Sequence, residues 1–321
     1  MKESWQDALT PALRAQIADL HPVSVWTWLK IPVMFGIWGI TALAAVNSQS
    51  LWVRLSCWAV MGFTLHGLGV FMHEGAHGSL FRRGWLDRAV GFLCGLPIFF
   101  SCSNYRATHL LHHQYEHTEK DPDNLYATIR RPLLRWLVYF GWFVFGMPIY
   151  IGILTATGPF RAAGSRERLA CLAETLAITA VHGTLFYLAT RYGFWPLLIN
   201  GWLFGIVFAI FVANFRGLAE HTQLWHTVPP DPFRSTRTTR SNPLVSFFFN
   251  NQNYHLEHHL FPAVPWNNLP RVHQLMGPIY RQRQASVCEG YLSWAVRAFR
   301  YGPNRTLHYT ADLRPVVDPP H

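Results

Sequence analysis

Ten of the 17 histidines in this 321-residue sequence fall within four short windows, 73–77, 109–123, 220–221 and 255–259. The first reads His73-Glu74-Gly75-Ala76-His77, and its i, i+4 spacing puts both imidazoles on one helical face. The second, His109-Leu110-Leu111-His112-His113, is followed one turn on by His117; the third is His255-Leu256-Glu257-His258-His259. In each H-x-x-H-H the residues i, i+3 and i+4 share a face, so three ring nitrogens reach a common volume. Imidazole suits Fe, Zn, Cu and Ni, and eight or more such ligands exceed the needs of one ion, so the pattern predicts two metal ions. Glu74, Glu116, Glu119, Asp121, Asp123, Glu220 and Glu257 occupy the same windows. Neutral imidazoles leave a dimetal centre with its full positive charge. Carboxylates that accept the distal ring N–H would orient the ligands and offset that charge. His66 lies on the face of His73 but deeper, and reads as a core or hydrogen-bonding residue. His21, His182, His273, His308 and His321 have no neighbouring pattern and read as surface or packing residues, and His226, in a Pro-bounded loop, is a weak candidate.

The elements that must position these windows are apolar. Half of the chain is hydrophobic, 15% is aromatic and 14% is charged, against about 25% charged in an average soluble domain. These figures exclude disorder and point to an all-α integral membrane protein. Residues 31–47 and 51–72 are each long enough to span a bilayer and are separated only by Ser48, Gln49 and Ser50, which predicts a tight hairpin; 170–190 and 195–214 predict a second. Residues 89–102 are too short to cross and contain Gly95 and Pro97, and 136–156 are interrupted by Gly146 and Pro148. If all the windows build one site, an even number of crossings must separate any two of them. The loop carrying Arg161, Arg166 and Arg168 is of the Arg-rich kind that stays cytoplasmic. We therefore expect four transmembrane helices as two hairpins. Segments 89–102 and 136–156 are expected to be re-entrant or interfacial, and a cytosolic cap to carry the metal site. The chain reads as a single domain over 1–321, with both termini cytosolic. Its first 22 residues lack the apolar stretch of a cleavable signal.

The net charge is +10, with Lys and Arg scattered among Trp and Phe, which fits an anionic membrane surface and speaks against a nucleic-acid partner. Five widely spaced cysteines without a CxxC suggest buried thiols rather than disulfides or a thiolate metal site.

The three boxes HEGAH, HLLHH and HLEHH, with HLLHHQYEHTEKDPDN and NYHLEHHLFP around the second and third, resemble the membrane fatty acid desaturase superfamily, which includes acyl desaturases, carotenoid hydroxylases and related lipid oxygenases. The resemblance covers about residues 60–262. It implies a non-haem di-iron site ligated by His73, His77, His109, His112, His113, His255, His258 and His259, with O2 as co-substrate. Members often carry one further histidine shortly after the last spanning helix, and His221 fits that place. In stearoyl-type members an Asn four residues earlier helps hold a metal-bound water. Gly217 stands there in this sequence, and Asn214, Glu220 and Asn253 are the replacements on offer. Glu74, His117, Asp121, Glu220, Asn253 and Glu257 are expected behind the ligands. The fused cytochrome domain of some members, with its His-Pro-Gly-Gly signature, is missing, and His21-Pro22-Val23 is no substitute. Electrons are therefore expected from a separate protein, ferredoxin or cytochrome b5-like.

An unactivated methylene has no acidic proton, so side-chain acid–base chemistry cannot attack it and a metal-activated oxidant is required. A lipid chain gains about 0.8 kcal/mol per buried CH2, so such a substrate is met in the bilayer. Phe247-Phe248-Phe249 could line a slot for it, though packing or lipid contact is the plainer reading. An acyl-lipid desaturase is the leading expectation, and a lipid or carotenoid hydroxylase or ketolase is the alternative within the same chemistry. His73-Glu74-Gly75-Ala76-His77 is also literally an H-E-x-x-H zinc-protease motif, but that reading leaves six box histidines without a role. A metal transporter would place its ligands at mid-membrane rather than flanking it.

Overall fold

The computed structural model describes residues 6, 9–116, 118, 120–123, 129, 131–224, 231–303, 307–309 and 315–317. His117, Glu119, His226 and His321 lie outside the described residues. The chain divides into two compact units, each discontinuous in sequence: an apolar unit of residues 25–112 and 140–215, and a polar unit of residues 1–24, 113–139 and 216–321.

The apolar unit opens with α2 (Val25–Asn47) and α3 (Leu51–His77), the first hairpin; α1 (Pro11–Ala18) belongs to the polar unit. Helix α3 stops just after its histidines because Gly78 takes φ 75°, and its N–H turns back to the carbonyls of Glu74 and Gly75. The next helix, α4 (Gly84–Gly95), lies against this end of α3 so closely that a Cβ on Gly75 would sit 2.6 Å from the Asp87 carbonyl oxygen and 2.9 Å from Gly91 Cα. The buried Asp87 carboxylate holds the connecting turn, accepting from the backbone N–H of Phe81 (2.8 Å) and Arg83 (2.7 Å). After a tight turn at Leu96–Ile98 the chain reverses into α5 (Cys102–Tyr115), the two arms meeting at 103°. This matches the break read at Gly95 and Pro97. The indole N–H of Trp202 reaches the Pro97 carbonyl (2.8 Å) and fixes the tip. The start of α5 is held by Glu174 of α7 (Ser165–Tyr192), which accepts from Ser101 Oγ (2.8 Å), Ser103 N (2.9 Å) and Ser103 Oγ (2.6 Å). Between α8 (Trp195–Leu198) and α9 (Phe204–His221), residues Ile199–Leu203 form a π turn. Its loosened carbonyls at Asn200 and Gly201 accept from Trp58 (2.9 Å) and Trp38 (3.1 Å).

Among the described residues five helices are long and apolar enough to cross a membrane: Val25–Asn47, Leu51–His77, Pro132–Arg161, Ser165–Tyr192 and Trp195–His221. Many of their large apolar side chains face outward, among them Ile40, Leu43, Leu176 and Val207. The protein is a multi-pass membrane protein, and the segments of both predicted hairpins lie within four of these five helices. Residues 136–156 differ from the sequence expectation, because α6 (Pro132–Arg161) runs unbroken through Gly146 and Pro148. A proline removes one N–H from a helix and kinks it, and neighbouring groups in a membrane protein make up that loss. A helix that enters and leaves by folding back needs a break, and α6 has none.

The polar unit is built on β1 (Thr238–Thr239) and β2 (Val287–Cys288), a short parallel pair, with α10 (Pro243–Phe248), α11 (His255–Leu260), α12 (Leu269–Arg283) and α13 (Tyr291–Tyr301) around it. Leu256 and Leu260 of α11 pack with Leu269, Val272 and Met276 of α12 and with Ile17 of α1. Towards the C-terminus β3 (Leu307–Tyr309) and β4 (Pro315–Val317) pair antiparallel.

Candidate metal centre

In the apolar unit, α3 and α5 bring the first two boxes together. His73 and His109 meet Nε2 to Nε2 at 3.0 Å, and one ligand atom each from His73, His77 and His109 lies within 4.8 Å of the others. His112 stands one turn further along α5, its ring 5.7 Å from that of His109. Backbone contact at Gly75 and Gly91 sets α3 against α4, and the Cys102 side chain of α5 sits against Gly91 in turn. Arg106 sets their ends, its guanidinium bonding the Ala76 carbonyl and standing 3.8 Å from Glu167.

In the polar unit the third box converges with the end of α9. His255 Nε2 lies 2.8 Å from His221 Nε2 and 3.1 Å from His259 Nε2. The His113 ring stacks on His259 at 4.1 Å and stands edge-on to His258 at 5.0 Å. Two ligands on one ion with bonds near 2.1 Å are themselves about 3 Å apart, so Nε2 pairs at 2.8–3.1 Å have the separation that joint coordination requires. The donor set is neutral imidazole with carboxylates behind it, which suits a divalent transition metal. The described residues form histidine clusters able to bind metal.

Carboxylates stand beside several of these rings, not all of them where the sequence suggested. Glu74 Oε1 lies 3.5 Å from His73 Nδ1 while its other oxygen accepts from Ser79 (2.8 Å), and Glu220 Oε2 lies 3.5 Å from His255 Nδ1 and 3.1 Å from Arg216 Nε. Glu116 serves two rings, at 3.3 Å from His259 Nδ1 and 3.9 Å from His221 Nδ1. Each of these four imidazoles thus presents Nε2 to the cluster and Nδ1 to an acid. Glu257 is placed differently. It is fully buried, accepts from His273 Nδ1 (2.6 Å) and Thr238 Oγ1, and faces the Tyr280 hydroxyl. Burial, with the Glu257 carboxylate beside it, raises the Tyr280 pKa well above the usual phenol value. It anchors α11 rather than a ligand ring. Asn253 binds the backbone of β1, donating to the Thr239 carbonyl (3.1 Å) and accepting from the Thr239 N–H (2.8 Å). Asp121 closes its own turn by accepting from Asp123 N (2.9 Å), and Asn214 donates to the Phe143 carbonyl (3.1 Å).

Sequence reasoning missed three residues. Tyr105, one turn before His109, bonds its Nδ1 (3.1 Å) and stacks on its ring, a relation that the i, i+4 spacing could have shown. His273 orients through Glu257, and Arg237 is buried with its guanidinium on the carbonyls of Ala219 and Thr222, closing the end of α9 beside His221. The last two are made by tertiary contacts and leave no local pattern. His182, read as a packing residue, is packed against Phe99 and Trp202.

The chain matches the family described as fatty acid desaturase over residues 49–291. It is 23% identical to an sn-1 oleoyl-lipid 12-desaturase of Picosynechococcus sp., covering 81% of this chain and 79% of that protein. It is 27% identical to a fatty acid desaturase of Bacillus subtilis (76% and 74% covered) and 25% identical to a sphingolipid delta(4)-desaturase of Drosophila melanogaster (75% and 72%).

Proposed function

The chain belongs to the fatty acid desaturase family and is an oxidoreductase, and on that footing we propose that it inserts a C=C bond into the acyl chain of a membrane lipid in an O2-dependent di-iron reaction. The observation that carries the reading is the close Nε2-to-Nε2 approach of histidines within each unit, at 3.0 Å for His73 and His109 and 2.8 Å for His221 and His255. His73, His77, His109, His112, His113, His221, His255, His258 and His259 are the proposed iron ligands, and the two units act as one domain. Iron supplied with O2 and electrons provides the oxidant that an unactivated methylene demands. The protein's own residues hold, orient and exclude. Glu74, Glu116 and Glu220 fix the rings through Nδ1, and Tyr105 fixes that of His109. Burial of His73, His109, His255 and His258 keeps water from their coordinating edges.

The proposed topology has four crossings, with α6 along the membrane rather than through it. Its support lies within the apolar unit. Phe143 of α6 contacts Asn214, seven residues before His221, and Gly158 packs on Asn104 while Arg161 reaches Thr108, just before His109. Both stretches of α6 thus touch histidine-bearing ends of other helices. The turn after α6 sits there too, since Glu167 is 3.8 Å from both Arg88 and Arg106. The histidines and both termini are placed on the cytosolic side, and a separate electron-transfer protein, ferredoxin or cytochrome b5-like, meets a chain of net charge +10.

Expression in a host of known lipid composition, with matched electron donors, tests the reading by lipid mass spectrometry. The expected product is two hydrogens lighter than its precursor. A product one oxygen heavier would make the protein a hydroxylase, and a single zinc with no iron in the purified protein would remove the oxidative reading.

A further inference from the structure

Helix α13 is apolar on two sides. Trp294, Ala295 and Ala298 are buried within the polar unit, which accounts for one of them. The other is a row of Leu292, Val296 and Phe299 at i, i+4 and i+7, 78, 62 and 51% exposed. Arg297 and Arg300 stand beside the row, no acid occurs anywhere in the helix, and a tyrosine closes each end. Eleven residues rise about 16 Å, half the thickness of a bilayer core, so the helix cannot cross. A short helix with a large apolar row, guanidinium groups beside it and aromatic ends lies in the interface of a membrane. At its start α13 shares a cleft with α10, lined by Val245 and Leu292 together with Arg240 and Glu289 outside the two helices, and Leu244 of α10 is 67% exposed. The apolar surface therefore continues onto the neighbouring helix. A protein partner would account for the apolar row but gives no reason for two cations without a single acid. An anionic lipid surface accounts for both, and it is already the surroundings of this chain's long helices.

We propose that α13 lies in the plane of the bilayer, with Leu292, Val296 and Phe299 in the acyl boundary and Arg297 and Arg300 at anionic headgroups. The polar unit then has a lipid contact of its own, independent of the spanning helices. The test uses the full chain with Cys57→Ser, carrying one nitroxide at Leu292→Cys, Val296→Cys or Phe299→Cys, in vesicles of phosphatidylcholine with phosphatidylglycerol. Power saturation by O2 and by a water-soluble nickel chelate reads the depth of each label. The expected result is severalfold higher accessibility to O2 than to nickel at all three positions. That preference should weaken in phosphatidylcholine alone, and the dependence on phosphatidylglycerol should vanish when Arg297→Gln and Arg300→Gln are added. High nickel accessibility would mean that the row faces water, and low accessibility to both would mean that protein covers it; either result overturns the proposal.

Discussion

In the apolar unit His73 and His77 hang from the 27-residue α3, which meets α4 where Gly75 and Gly91 let the backbone pass, and His109 hangs from α5, whose Cys102 side chain sits against Gly91. In the polar unit His255, His258 and His259 share a helix of six residues. A six-residue helix has almost no stability of its own, so its position must come from outside it. Buried polar groups supply it: Glu257 bound to His273 and Thr238, Asn253 bound to β1, and Arg237 on the last turns of α9. Steric fit sets one group of histidines and hydrogen bonding sets the other. Fit tolerates loss of charge but not added volume, whereas a buried polar network tolerates neither loss of a partner nor a change in its protons.

Gly75→Leu should strike hardest, because even its Cβ has no room against the Asp87 carbonyl. Overpacking of this kind costs about 3 kcal/mol, and the purified variant should melt several degrees lower and lose metal. A melting curve like that of the parent would refute the account of the α3–α4 contact. Next comes Glu257→Gln, which removes a charged acceptor at a cost of about 2 kcal/mol. Hydrogen exchange should quicken in α11 and α12 while α3 and α4 keep their protection; equal quickening in all four would erase the contrast between the units. Glu116→Ala should weaken iron binding about 10- to 100-fold with little change in the melting of the metal-free protein. Unchanged iron affinity would show that its two imidazoles need no acid behind them. The smallest effect is alkaline. Burial raises the phenol pKa values of Tyr254, Tyr280 and Tyr291 in the polar unit. Below pH about 10 these phenols are protonated whether the chain is folded or not, and they contribute no pH dependence. Above it the unfolded chain ionises first, so stability falls as pH rises. The polar unit should loosen above pH about 10, and Tyr280→Phe should flatten that slope.

The parts of the protein legible in its sequence are those whose period is local. The two hairpins (31–72 and 170–214), the reversal at Pro97 and the histidines at i, i+3 and i+4 are each contiguous stretches of sequence, and the family match over 49–291 covers all of them but the first arm of the first hairpin. The interruption expected in α6 at Gly146 and Pro148 is absent because Pro148 is a strong helix breaker in water and a weak one in a membrane protein. Glu116 was visible only as one acid among seven, because its rings at His221 and His259 lie more than 100 residues away along the chain. Glu257 was visible too, but its sequence neighbours are histidines and its partners are His273, Thr238 and Tyr280, so adjacency pointed to the wrong contact.

The π turn at Ile199–Leu203 bears on a residue far from it. Such a turn holds one residue more than the α-helix around it, and each residue of an α-helix advances by about 100°. Deleting a single residue there would leave the span long enough and everything before it undisturbed, yet would swing His221 by about a quarter of a revolution, away from His255 and Glu116. The azimuth of a proposed metal ligand is thus set some twenty residues upstream, at a place where a change in length acts as a change in chemistry.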